Sequence, residues 1–252
     1  MLTPPEIARS LLAAGESKAR LPFGKMLLLA ILAGAYIALA AAAVTVESGS
    51  LAKLLSACVF PAGLSMVILA GSELFTGNCL MVMALLERRI TPAQLLRNWL
   101  TVYLGNAVGG AAVAALAVYS HTASLFGDGL ARSMVSIAES KAALGFGDAF
   151  LRGVLCNFLV CLAVWMAAAS KRAEGKVIAL FFPILLFVLC GYEHCIANLY
   201  YLPAGAFAAA EYGVETTLTL AGCLKNLAAV TLGNLVGGAA LGVGYRFAYL
   251  KE

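Results

Sequence analysis

The sequence predicts an all-α integral membrane protein of six transmembrane helices, arranged as two inverted halves of three, with helices 2 and 5 broken. Three observations predict it. The 252 residues are 62% hydrophobic and 12% charged, with a mean hydropathy of +0.93. Apolar runs reach the roughly 20 residues that cross a hydrocarbon core of about 30 Å. Polar clusters interrupt two of these runs at matching places, and the two halves of the chain repeat one another. The net charge of +4 gives no reason to expect a nucleic-acid partner.

Residues 1–25 hold a short amphipathic stretch, Pro5 to Ala14, followed by Lys18, Arg20 and Lys25. They predict an interfacial helix and a basic approach to the membrane. No cleavable leader pattern precedes the first span, so no removable signal peptide is expected. Span one is about Met26–Val46. Span two starts near Leu54, meets Gly71-Ser72-Glu73-Leu74-Phe75-Thr76-Gly77-Asn78, and resumes to Leu86. Span three is about Leu95–Tyr119, and a polar, Gly-containing loop follows from His121 to Asp148. Span four is about Ala149–Ala169. Span five is the long segment from Ile178, broken at Gly191-Tyr192-Glu193-His194-Cys195-Ile196-Ala197-Asn198. Span six runs from about Leu218 to Phe247. Trp99 and Tyr103 read as membrane-interface anchors.

Six spans put both termini on one side. Twelve cations, from Arg9 and Lys18 through Arg88, Arg89, Lys171 and Lys176 to Lys251, fall on that side. Lys53, Arg132, Lys141, Arg152 and Lys225 fall on the other. The bias places both termini in the cytoplasm of a multi-pass protein in the cell inner (plasma) membrane.

The repeat is the strongest internal signal. Ser17-Lys18-Ala19-Arg20-Leu21-Pro22-Phe23-Gly24 matches Ser140-Lys141-Ala142-Ala143-Leu144-Gly145-Phe146-Gly147. Phe60-Pro61 with Gly71-Ser72-Glu73 matches Phe182-Pro183 with Gly191-Tyr192-Glu193, and Asn78 answers to Asn198. Leu104-Gly105-Asn106 matches Leu232-Gly233-Asn234, each followed by a Val-Gly-Gly-Ala-Ala run. Three spans per half invert the second copy in the membrane. The expected organisation is one membrane domain over 1–252: an N-terminal segment 1–25, a first repeat 26–119 and a second 149–247.

Irregular backbone at membrane depth survives only when buried in protein or lining a wet path. Broken helices also aim positive N-terminal dipole ends at the midplane, which suits an anion. His194 lies in one break, where a buried imidazole is a functional candidate rather than a packing residue. Glu73 and Glu193 would repel an anion if they faced its path. They read as scaffold acceptors for orphan backbone N–H groups, with Asn78 and Asn198 supporting the same breaks. Thr76 is placed to hydrogen-bond His194 or a substrate. Asn157 is either a helix-packing hydrogen bond or a pore-lining partner of His194. Lys141 is either a solvated surface charge or a funnel for anions. The seven cysteines lie in or beside apolar runs with no C-x-x-C or zinc spacing, and read as small buried hydrophobes.

Four stretches, in the right order, carry a resemblance that covers nearly the whole chain. They are Gly71–Asn78, Gly153–Trp165, Gly191–Asn198 and the late Leu232-Gly233-Asn234. They resemble the formate/nitrite transporter family of formate, nitrite and hydrosulfide channels. The resemblance implies a homopentamer of aquaporin-like protomers, each with its own pore, and no cofactor or metal. It implies a central His194 with Thr76 and Asn157 nearby, and positive potential from Lys141 at the outer vestibule. It also implies apolar constrictions drawn from Phe60, Leu64, Leu74, Phe75, Val160 and Phe187. The expected function is a channel or proton-linked transporter, not an enzyme, for a small weak-acid anion: formate or nitrite, possibly hydrosulfide.

Competing readings leave specific marks. A hydrosulfide-specific channel would share most of these residues. An aquaporin would carry paired Asn-Pro-Ala triplets, and the breaks here end in Thr76-Gly77-Asn78 and Ile196-Ala197-Asn198. An ammonium channel would carry two pore histidines, and only His194 lies within a span, His121 falling in the outer loop. An intramembrane metalloenzyme would combine His194 with Cys156, Cys161, Cys190 or Cys195, but only Cys190 is one helical turn away, and two ligands make no zinc site.

Overall fold

A computed structural model describes residues 1–44 and 50–250. The expected end of span one at Val46 and the basic residue Lys251 lie outside the described residues. All regular elements among the described residues are helices. In order they are α1 (Pro4–Ala19), α2 (Phe23–Ala43), α3 (Ser50–Val59), α4 (Pro61–Ala70), α5 (Phe75–Asn78), α6 (Val82–Leu86), α7 (Pro92–Tyr119), α8 (Gly129–Ala143), α9 (Phe146–Ala168), α10 (Ala173–Leu189), α11 (Cys195–Tyr212) and α12 (Leu220–Tyr249). Short 3-10 turns join α5 to α6 and follow α7.

Local chemistry sets the ends. Thr3 opens α1 and Thr91 opens α7, each with a proline in the first turn and a side chain three residues on, Glu6 or Gln94, reaching back to the cap amide. Gly71 and Gly191 sit at φ 72° and 69°, the left-handed region that closes a helix and that a Cβ penalises. They end α4 and α10 and begin the two non-helical turns around which the site is built.

Among the described residues five helices are long and apolar enough to cross a membrane: Phe23–Ala43, Leu51–Ala70 (α3 and α4 together), Pro92–Tyr119, Phe146–Ala168 and Leu220–Tyr249. Six spans were expected. The difference is α10, whose 17 residues rise only about 25 Å at 1.5 Å each, because the backbone leaves the helix at Gly191. Leucines spaced one turn apart on the outside of α7 (Leu96, Leu100, Leu104) and α9 (Leu151, Leu155) are exposed. Such rows match a lipid-facing surface.

Helix α7 lies along α2 and α12 along α9. Glycines that recur in both halves bring these helices into close contact. A Cβ on Gly109 would collide with the carbonyl oxygen of Ile31, and one on Gly237 with that of Val154. Backbone thus meets backbone, as small-residue faces allow.

Three expectations change. The loop expected over His121–Asp148 contains α8, which buries Ala131, Met134, Val135, Ala138 and Ala142 against α11. Its apolar positions recur at helical spacing between polar neighbours, which had read as a loop. Glu139 fastens this helix to the chain before α12. It accepts from the Thr217 amide at 2.6 Å and from the hydroxyls of Thr216 and Thr217. These bonds, the amide's first, hold its carboxyl below the usual range. Secondly, the helix expected over Pro5 to Ala14 forms but runs on to Ala19 as α1 and packs on protein: Ile7 and Ala8 are buried in a cluster with Met83 and Trp165. Thirdly, Trp99 and Tyr103 pack inward instead of anchoring at an interface. Trp99 donates to the Asn78 carbonyl at 3.0 Å, Tyr103 bonds Thr231 at 3.1 Å, and both rings meet Phe75 edge-on.

Candidate functional site

The two turns, Gly71 to Leu74 and Gly191 to His194, are held by the same bonds. The Glu73 amide donates to the Leu29 carbonyl (3.2 Å), and the Glu193 amide to the Arg152 carbonyl (3.3 Å). Asn106 Oδ1 accepts from the Phe75 amide (3.0 Å), while its Nδ2 donates to the carbonyls of Ala30 and Glu73. Asn234 repeats this: Oδ1 accepts from the Cys195 amide (2.9 Å), and Nδ2 donates to Gly153 and Glu193. Both asparagines are fully buried. Each satisfies two backbone groups that the broken helix leaves orphaned, and its third bond ties the turn to a neighbouring unbroken helix, α2 or α9.

The carboxylates were expected to take up backbone N–H groups. They bind side chains instead. Glu73 accepts from Lys18 Nζ (2.7 Å) and Asn78 Nδ2 (2.7 Å), and Asn78 also donates to Asn98 Oδ1 (2.9 Å). Glu193 accepts from Lys141 Nζ (2.9 Å) and Asn198 Nδ2 (2.7 Å), and Asn198 also donates to Asn226 Oδ1 (2.8 Å). The backbone work falls to Asn106 and Asn234, leaving the carboxylates free to pair with lysines. Lys141 is therefore a paired charge and not a free one. It also lies over the Tyr201 ring, 5.1 Å from its centre.

Between the turns, Thr76 Oγ1 lies 3.1 Å from His194 Nε2. His194 Nδ1 accepts from the Ala197 amide at 3.1 Å, capping α11. With Nδ1 accepting, the neutral ring carries its proton on Nε2 and points it at Thr76. A second proton on Nδ1 would face the Ala197 N–H and the positive end of α11.

Cavities approach this contact from both sides. One of about 680 Å³ is lined by Phe60, Phe187, Lys141, Arg152, Glu193 and His194 among others. The other, about 710 Å³, is lined by Lys18, Leu64, Glu73, Leu74, Gly77 and Asn78 among others. Phe60 meets Phe187 edge-on at 5.4 Å, and Phe187 stacks on His194 at 5.8 Å. Phe60 and Phe187 thus line the first cavity, and Leu64 and Leu74 line the second.

The other named residues fall elsewhere. Phe75 is wedged between Trp99 and Tyr103, and neither it nor Val160 lines either cavity. Asn157 donates to the carbonyls of Thr76 (3.2 Å) and Asn234 (2.7 Å), so it ties the first broken segment to α12, whose Asn234 side chain holds the second. Cys161 also donates to the Thr76 carbonyl.

The formate/nitrite transporter profile matches residues 5–248. This chain belongs to the formate/nitrite transporter family. A protein of Methanothermobacter thermautotrophicus named "Probable formate transporter" is 38% identical, the match covering 99% of this chain and 98% of that one. A solved structure described as an "FNT family ion channel" superposes with a TM-score of 0.86 at 32% identity, covering 96% of this chain and 98% of that one. Another, "Pentameric formate channel with formate bound", gives 0.80 at 33% identity, covering 91% and 98%. The chain is thus a multi-pass membrane transporter with the fold of formate/nitrite channels.

Formate/nitrite transporters and these structural neighbours are channels and transporters, not enzymes, which removes the metalloenzyme reading. Among the described residues no three His, Cys, Asp or Glu side chains gather as a metal site. What the sequence reading missed in this transporter are the partners. Asn106 and Asn234 were visible as a repeated Leu-Gly-Asn but were given no role of their own. Lys18 was matched to Lys141 without either being matched to its carboxylate.

Proposed function

We propose that this protein is a channel or proton-linked transporter for small monovalent weak-acid anions, with formate as the substrate its relatives favour. Nitrite and hydrosulfide are the alternatives within the same chemistry. The observation that carries the reading is the Thr76–His194 contact of 3.1 Å between two charged cavities lined by buried Phe60, Phe187, Leu64 and Leu74. A bare anion is costly between such layers, whereas the neutral acid is not. Nε2–H of His194 and the Thr76 hydroxyl offer the passing oxygen a hydrogen bond where water is least available. Loss and gain of the proton on the two sides would make the movement proton-linked.

The same proposal includes a homopentamer of six-span protomers built as an inverted repeat, with both termini cytoplasmic, in the plasma (inner) membrane. The pentameric description of a structural neighbour, the identical bonds at the two breaks and the charge bias support it.

Uptake of formate, nitrite, hydrosulfide and chloride into proteoliposomes tests the reading. Native protein is expected to pass a weak-acid anion and to exclude chloride. His194→Asn keeps a donor but removes the ring that could pass a proton, so the pH dependence of its flux should differ from that of the native protein between about pH 5 and 8. An unchanged profile at every pH removes the proton-linked role of His194. Passage of water but no anion removes the function itself.

A further inference from the structure

The two lysines that the repeat places at the mouths are each spent on a carboxylate. Lys18 binds Glu73 and Lys141 binds Glu193, so neither adds net charge. Four further cations line the cavities. Lys53 and Arg152 line the one with His194; Lys171 and Lys176 line the one with Leu74. None of the four has an ion-pair partner among the described residues. Glu6 interacts electrostatically with Lys171 but does not line the cavity. Among the described residues each cavity is thus lined by three cations and one carboxylate, an excess of two positive charges on both sides.

The fold itself does not require Arg152. Its carbonyl accepts the Glu193 amide as that of Leu29 accepts the Glu73 amide, so the two positions are equivalent, and a leucine serves one of them. An arginine with exposed Leu151 and Leu155 beside it is costly against lipid and is relieved by a wet cavity.

We propose that Arg152 and Lys53 on one side, and Lys171 and Lys176 on the other, gather the anion at the two mouths, and that the repeat-matched Lys18 and Lys141 are structural. This rests on the permeant being a small anion. A field from fixed charges in a low-dielectric funnel raises local anion concentration and is screened by salt.

The test reads the field without the permeant. In a background lacking Cys58, Cys190 and Cys223, Ser136→Cys reports the first cavity and Ser10→Cys the second. The rate of labelling by a negatively charged methanethiosulfonate is divided by that of a positively charged one. At about 10 mM salt, K53Q/R152Q should lower the Ser136→Cys ratio about 3- to 10-fold, and K171Q/K176Q the Ser10→Cys ratio likewise. The gap should close at about 0.5 M, and K53R/R152K should match the native charge. Formate permeability should fall about 2- to 10-fold in the same variants at low salt only. Ratios unmoved by these neutralisations, or equally lowered at high salt, overturn the inference. Shifted ratios in a protein that passes no formate uphold the charge assignment and overturn the function reading instead.

Discussion

Lys141 and Glu193 show how one pairing changes what a residue does. Both are nearly buried, with side chains 16% and 7% exposed, and the ammonium and carboxylate are 2.9 Å apart. Removing one partner of such a pair leaves an uncompensated charge, which costs about 3–5 kcal/mol, while replacing both is far cheaper. Lys141→Gln should therefore lower the melting midpoint of the purified protein sharply, and Lys141→Gln/Glu193→Gln should recover most of the loss. Equal losses in the single and double variants would mean that the pair is not the source of the effect. The pairing was illegible in the sequence because the partners stand 52 residues apart and bond through side chains that had other plausible partners. His194 and Thr76 were legible as residues in matching breaks, and their contact follows from the breaks meeting. Asn157 was legible only as a buried amide; its backbone targets, Thr76 and Asn234, depend on how three helices cross.

At the scale of elements, the breaks and close packings were readable because both were written twice. Gly71 and Gly191 end helices at equivalent places, and Gly109 and Gly237 press α7 on α2 and α12 on α9. α8 was not readable in the same way, although it ends in the Ser-Lys-Ala that closes α1. Extending that match a few residues back from Ser140 would have exposed a helix equivalent to α1. Gly109→Val should cost at least the roughly 1–3 kcal/mol of ordinary overpacking, since the atom it meets is backbone. Gly147→Ala, near the start of α9 with nothing within 4 Å of its added carbon, should be neutral or slightly stabilising. Thermal unfolding of both variants in detergent checks the pair, and a destabilised Gly147→Ala with an unaffected Gly109→Val would contradict the packing described.

At the scale of the molecule, two cavities of similar size, about 680 and 710 Å³, approach one hydrogen-bonded contact. Each mouth has a lysine–glutamate–asparagine chain built to the same pattern, and each carries the same charge excess. The centre breaks the likeness: the position opposite His194 is Leu74, and the one opposite Thr76 is Ile196. The chemistry at the contact is thus supplied once, from both halves together, while the approaches are supplied twice.

The matched charge excess at the two mouths bears on rectification. A pathway whose entrances carry equal electrostatic bias has no built-in diode. With identical solutions on both faces, current or tracer exchange should change little when the driving force is reversed, within about twofold. Reconstituted vesicles with randomly oriented protein should then relax as one kinetic population. Two populations, or a strongly bent current–voltage curve in symmetric formate, would show that the centre and not the mouths governs direction.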